Sequence, residues 1–123
     1  MSEDDDLVGK SGDELIAMYR SAADRHGACS AEGNHAEANE HAEVVASAYG
    51  ELRRRGTAAQ RQILQLLADE NESVRSWAGA HALEVDPRRA EAVLSRLSEG
   101  KSLPAFSARM TLREWRAGGL TFD

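Results

Sequence analysis

The residues of this chain best suited to chemistry cluster early. His26 and Cys29 stand three apart, and His35 and His41 follow, so four possible metal ligands fall within 16 positions. Glu32-x-x-His35 has an E-x-x-H spacing, and Glu37 and His41 are an i, i+4 pair. Imidazole, thiolate and carboxylate are the donors that zinc and related ions take, and helices can present them in pairs. Against a metal, Glu32 and His35 straddle Gly33 and need not share a helix face. Di-metal carboxylate bundles also need a second E-x-x-H copy, which the chain lacks. The sequence therefore predicts ordinary surface polar residues here, with no metal and no cofactor.

Glu37, Glu40 and Glu43 are spaced by threes, so one helix can carry all three carboxylates as a stripe. Carboxylates so placed could serve acid–base chemistry or magnesium. No apolar neighbour is positioned to raise a carboxylate pKa, and no partner nucleophile is visible. The readings left are a solvated face and a docking surface for a basic partner. The stripe is the candidate partner-binding site.

Arg53, Arg54, Arg55 and Arg61 form the strongest local positive charge. Arg75, Arg88, Arg89, Arg96, Arg109, Arg113 and Arg116 are interleaved with acidic residues, which suits surface ion pairs better than a nucleic-acid track. Trp77 and His81, i and i+4, could line a small-molecule pocket, although a tryptophan in an alanine-rich helix more often packs. No G-x-G-x-x-G, P-loop, H-E-x-x-H or C-x-x-C motif occurs. With no nucleophile–base pair to place, the sequence predicts no enzyme.

Length and composition bound the remainder. The chain has 123 residues, 41% hydrophobic and 29% charged, which suits a single soluble domain. Aromatics make up only 5% while alanine is abundant, and that favours closely packed helices over strands. The single cysteine excludes an intramolecular disulfide. Met1 to Asp6 is acidic and polar, the opposite of a signal peptide, and no apolar run is long enough to span a membrane, so the sequence predicts a cytoplasmic protein. The net charge of −6 is unevenly spread. Residues 1 to 50 hold eleven acidic and three basic residues, giving −8; residues 51 to 123 hold ten acidic and twelve basic, giving +2. That split disfavours general nucleic-acid binding and suits a basic partner at the acidic half.

These side chains must be positioned by helices. Residues 1–10 read as an acidic disordered tail and 11–123 as one helical domain. Ser11 and Glu14 form a capping box that opens a first helix, roughly 12 to 28, with Leu15, Ile16, Tyr19, Ala22 and Ala23 on its apolar face. Gly33 breaks the chain before a second helix, about 34 to 55, with Ala38, Ala42, Val45, Tyr49 and Leu52 as its seam. Thr57 caps a third helix through Ala68. Asn71 caps a fourth through Val85, in which Gly79 marks a close helix approach. Asp86-Pro87 opens a fifth that ends at Gly100, and Ser102 or Leu103 a sixth that ends at Gly118-Gly119. Short connections pair the helices as hairpins, first with second, third with fourth, fifth with sixth.

A repeat supports this layout. Ile63, Leu64 and Leu67 recur as Val93, Leu94 and Leu97 at an offset of 30; Val74, Trp77, Ala78 and Leu83 recur as Leu103, Phe106, Ser107 and Leu112 at an offset of 29. Helical repeats of this length stack into solenoids. The expected fold is all-α, a six-helix α-solenoid of three stacked hairpins, with Trp77 and Phe106 both largely buried at equivalent layers.

Asp69, Asn71, Val74, Arg75, Trp77, Ala78 and Leu83 together resemble a HEAT repeat, in which an Asp-containing turn precedes a Val-Arg pair and an alanine-rich helix. Leu103-Pro104 replaces that pair in the next copy. The run Thr111-Leu112-Arg113-Glu114-Trp115-Arg116-Ala117-Gly118 is similar to the ending of a small bacterial family of HEAT-like helical domains. The resemblance covers residues 12 to 120 and implies a HEAT-like fold with no catalytic residues to carry over. Some small HEAT-like proteins of this sort look like immunity proteins to bacterial toxins, which implies, by fold-level analogy, a protein-binding role. The expected function is a non-enzymatic binding module that masks a toxin's basic surface. The alternatives are a scaffold subunit and a small-molecule binder at Trp77–His81.

Overall fold

The computed structural model describes residues 7–120. Six helical segments run from Gly12 to Arg116, with no strand among the described residues: α1 (Gly12–Ala31), α2 (His35–Arg54), α3 (Thr57–Gln60) continuing into a 3₁₀ segment (Arg61–Ala68), α4 (Glu72–Val85), α5 (Pro87–Leu97) and α6 (Leu103–Arg116). Of the expected tail, residues 1–6 lie outside the described residues. Leu7 is buried, and the carbonyls of Leu7 and Val8 accept hydrogen bonds from Arg55 Nη2 at 3.0 and 3.2 Å. No helix of the described residues is long and apolar enough to cross a membrane.

The helix starts follow local chemistry. Ser11 Oγ accepts the Glu14 N–H, and the Glu14 carboxylate accepts the Ser11 N–H, closing the expected capping box. The side chains of Asn34, Asn71, Asp86 and Ser102 each accept the N–H three residues on. The turn between α1 and α2 needs Gly33, whose φ of +78° is the left-handed conformation that side chains with a Cβ disfavour.

The chain divides into two compact units between Ile63 and Leu64. In the first, α1 and α2 pack as a hairpin and α3 packs on α2. Leu15, Ile16, Tyr19, Ala22 and Ala23 from α1, and Ala38, Val45, Ala48, Tyr49 and Leu52 from α2, are all buried. In the second, α4 packs chiefly on α5, and α6 packs on both. Gly79 permits the close approach of α4 and α5, because a Cβ there would lie 2.7 Å from Leu94 Cδ2.

Three expectations are corrected. The third helix is not a continuous α-helix. It begins at an N-cap Gly56 with no side-chain cap, makes one α-turn, and continues as eight residues of 3₁₀ helix. Ile63, Leu64, Leu66 and Leu67 are buried while Gln62, Gln65 and Ala68 are exposed. A 3₁₀ helix stacks residues three apart on one face, so the buried and exposed residues stay separated along this segment. Nor is this segment the main partner of α4, which takes α5 instead.

The third correction concerns the aromatic layers. Trp77 is half-buried and Phe106 is 55% exposed. The offset of 29 is preserved in burial at the expected Leu83–Leu112 pair and at two further pairs, Ser76 with Ala105 and Gly79 with Ala108, all buried. The small Ala105 and Ala108 let α6 approach its neighbours closely along a narrow face. Leu103, Phe106 and Met110 form a second stripe at i, i+3 and i+7 that lies off that face and remains exposed.

Candidate functional site at the turn between the first two helices

The α1–α2 turn gathers more chemistry than any other described segment. Asn34 organises it. Its N–H donates to the Cys29 carbonyl at 2.9 Å, which ties the last turn of α1 to the start of α2. Its Oδ1 accepts the Glu37 N–H at 3.2 Å, and its Nδ2 donates to Glu37 Oε2 at 2.9 Å. With Oε2 held by Asn34, Glu37 Oε1 stands 3.8 Å from His41 Nε2, one helical turn on. Cys29, which is buried, completes the group: one ligand atom each of Cys29, Glu37 and His41 lies within 4.8 Å of the others.

Four ligands, His26, Cys29, His35 and His41, stood out by spacing. The structure brings Cys29 and His41 together and adds Glu37. His35 is exposed at the start of α2 and does not join this group. His26, half-buried one turn before Cys29, is also outside it, although its imidazole pKa is lowered by burial and then by the charge of His41. The Cys29 thiol pKa is raised, first by burial, then by the carboxylates of Glu37 and Glu32.

The candidate docking stripe continues from this turn. Glu37, Glu40 and Glu43 are all exposed, while Ala38, Val45, Tyr49 and Leu52 on the seam of α2 are buried. Ala42, also expected in the seam, is half-buried.

The arginine cluster at the end of α2 engages a buried acid. Arg54 donates to both carboxylate oxygens of Glu51, at 2.8 and 2.6 Å, and Arg55 Nε donates to Glu51 Oε2 at 2.8 Å. These bonds hold the Glu51 carboxyl down at about 2, against a burial that would raise it. Sequence reasoning missed Glu51. The signal was present, since Glu51 precedes Arg54 and Arg55 by three and four residues.

In the second unit, the Trp77 and His81 rings lie 6.2 Å apart, and burial lowers the His81 pKa to about 4. A cleft of about 580 Å³ lies elsewhere in this unit, lined by Leu67, Glu72, Arg75, Val93, Arg96 and Leu97 among others, with neither Trp77 nor His81 in its wall. Ser102 Oγ donates to Glu72 at 2.8 Å, and Arg75 Nε is buried without a hydrogen-bond partner.

Comparison of the chain with protein-family models, with curated proteins and with solved structures returns no match.

Proposed function

We propose that this protein is a short HEAT-like helical module that works by binding protein rather than by catalysis. In its most concrete form it is a cytoplasmic immunity or inhibitor protein that masks the basic surface of a toxin. The observation that carries this reading is the stripe of Glu37, Glu40 and Glu43, exposed along α2 and opposite a buried seam. Three like charges held on a rigid helix attract a basic surface at long range and set the docking register.

The test is a pull-down from the native host, then binding kinetics on the partner recovered. Reversing Glu37, Glu40 and Glu43 to lysine should slow association about ten-fold or more at low salt, with helix content unchanged. The loss should shrink at physiological salt, where the screening length is about 8 Å. The double reversal of Glu40 and Glu43 should show most of the same effect. An unchanged association rate removes the stripe from the interface, and recovery of no protein partner removes the immunity reading.

A second reading, a scaffold subunit that receives a further helix, rests on Leu103, Phe106 and Met110. They are 54%, 55% and 39% exposed on one stripe of α6. Arg109 and Arg113, also exposed on α6, suit an amphipathic helix with acidic flanks as the occupant. Phe106→Asp should abolish binding of such a helix and leave the acidic-stripe kinetics untouched.

A further inference from the structure

We propose that Cys29, Glu37 and His41 form a binding site for a divalent transition-metal ion of borderline softness, zinc above all. The inference stands apart from the docking reading, since it concerns the free protein.

Geometry carries it. Sulfur, oxygen and nitrogen donors from two different helices converge within 4.8 Å. Zinc takes thiolate sulfur at about 2.3 Å and imidazole nitrogen or carboxylate oxygen at about 2.0–2.2 Å, so tetrahedral donors of these kinds stand roughly 3.3–3.6 Å apart for oxygen with nitrogen and 3.5–3.7 Å with sulfur. Glu37 Oε1 and His41 Nε2, at 3.8 Å, stand within about 0.5 Å of that separation. The sulfur, within 4.8 Å of both, needs a side-chain adjustment of up to about 1.3 Å to join them.

The surroundings are those of a ligand set held in place. Asn34 fixes the Glu37 carboxylate by its second oxygen and leaves the first toward His41, the orienting contact that metal-binding carboxylates commonly receive. The same Asn34 ties the Cys29 carbonyl to the start of α2, so one residue sets the spacing between the donors of both helices. Glu37 is exposed, which gives an ion a route in from solvent.

An ordinary i, i+4 pair of Glu37 and His41 would need no thiol. A buried cysteine acting only as a small apolar residue would need no carboxylate and imidazole beside its sulfur. Thiolate and imidazole select zinc and its neighbours over magnesium and calcium, which prefer oxygen. On binding, the thiol proton passes to solvent and Sγ coordinates as thiolate. Three protein donors leave a fourth tetrahedral position for water. An ion there would partly neutralise the acidic stripe where it begins at Glu37.

The test uses the full chain, freed of metal with a chelator and kept reduced with a phosphine. It is titrated with Zn²⁺ by calorimetry and with Co²⁺ by absorption. One ion per chain is expected, with a thiolate-to-cobalt charge-transfer band. Cys29→Ser should lose the band. Glu37→Gln and His41→Gln should each weaken Zn²⁺ binding by about ten-fold or more, and His35→Gln should leave it unchanged. Glu37 is exposed and His41 half-buried, so these two variants keep the test decisive even if Cys29→Ser misfolds. The proposal is overturned by absence of stoichiometric binding, by a band that survives Cys29→Ser, or by wild-type affinity in both Glu37→Gln and His41→Gln. The docking reading is tested separately, by the Glu40 and Glu43 double reversal in metal-free protein, which leaves the three donors in place.

Discussion

Arg55 donates through Nε to the Glu51 carboxylate at 2.8 Å, while its Nη2 reaches back 48 residues to the Leu7 carbonyl at 3.0 Å. One guanidinium thus joins a buried acid to the start of the described chain. The carboxyl of Glu51 is held at about 2 in the folded protein, below its ordinary 4.5. The unfolded chain therefore takes up the proton first as pH falls. The stabilisation is complete above about 4.5 and is lost toward pH 2. Glu51→Gln should lower stability at neutral pH by about 1–3 kcal/mol and flatten the acid limb of the stability curve, measured by urea unfolding across that range. An unchanged acid limb would mean that the arginine pair does not act on stability.

His81 works in a higher window. Its folded pKa of about 4 lies below the ordinary 6.5, so the unfolded chain binds the proton more readily throughout that interval. Stability is full above about 6.5 and declines as pH falls to about 4. His81→Gln should reduce that slope. It should not abolish it, because the lowered pKa of His26 acts in the same direction. Denaturant melts between these two pH values check the prediction, and a slope equal to wild type would refute it.

Gly79→Ala tests the approach of α4 to α5. Alanine is the better helix former by about 1 kcal/mol. A Cβ would nevertheless meet Leu94 Cδ2 at 2.7 Å and Cγ at 2.9 Å, and Leu94 is fully buried. Overpacking should win, with a net loss of about 1–2 kcal/mol by thermal or chemical melt. A stabilised variant would show that Leu94 can move aside.

Trp77 and Phe106 should now behave differently. Phe106→Ala removes an exposed ring whose centroid lies 5.9 Å from the Arg109 guanidinium, and should cost less than about 1 kcal/mol. Arg109 itself stays anchored to the carbonyls of Ser98 and Gly100 at 2.6 and 2.9 Å. Trp77→Ala, at a half-buried ring, should cost about 2–4 kcal/mol. Equal losses in the two variants would restore the equivalence that the repeat suggested.

The sequence by itself determined what local chemistry controls. Helix starts were legible because Ser11, Asn71, Asp86 and Ser102 bond N–H groups three residues away. The apolar faces of α1 and α2 were legible because a helix repeats every 3.6 residues. The 3₁₀ form of Arg61–Ala68 was not legible, because apolar Ile63, Leu64, Leu66 and Leu67 fall on one face of an α-helix as well as of a 3₁₀ helix.

Only the tertiary structure decided which donors meet and which apolar residues are covered. Val74 and Leu103 occupy matching positions in the repeat, yet one is fully buried and the other 54% exposed. Burial depends on what packs against a face, and a residue's own spacing carries no record of that. Cys29 and Glu37 lie eight residues apart on two helices, and no single-helix periodicity relates them. The Gly33 turn, closed by the bond from Asn34 to the Cys29 carbonyl, brings the Cys29 sulfur beside the Glu37–His41 pair. Pairings within one helix follow from its pitch, whereas pairings between helices depend on the dihedral angles of the turn that joins them.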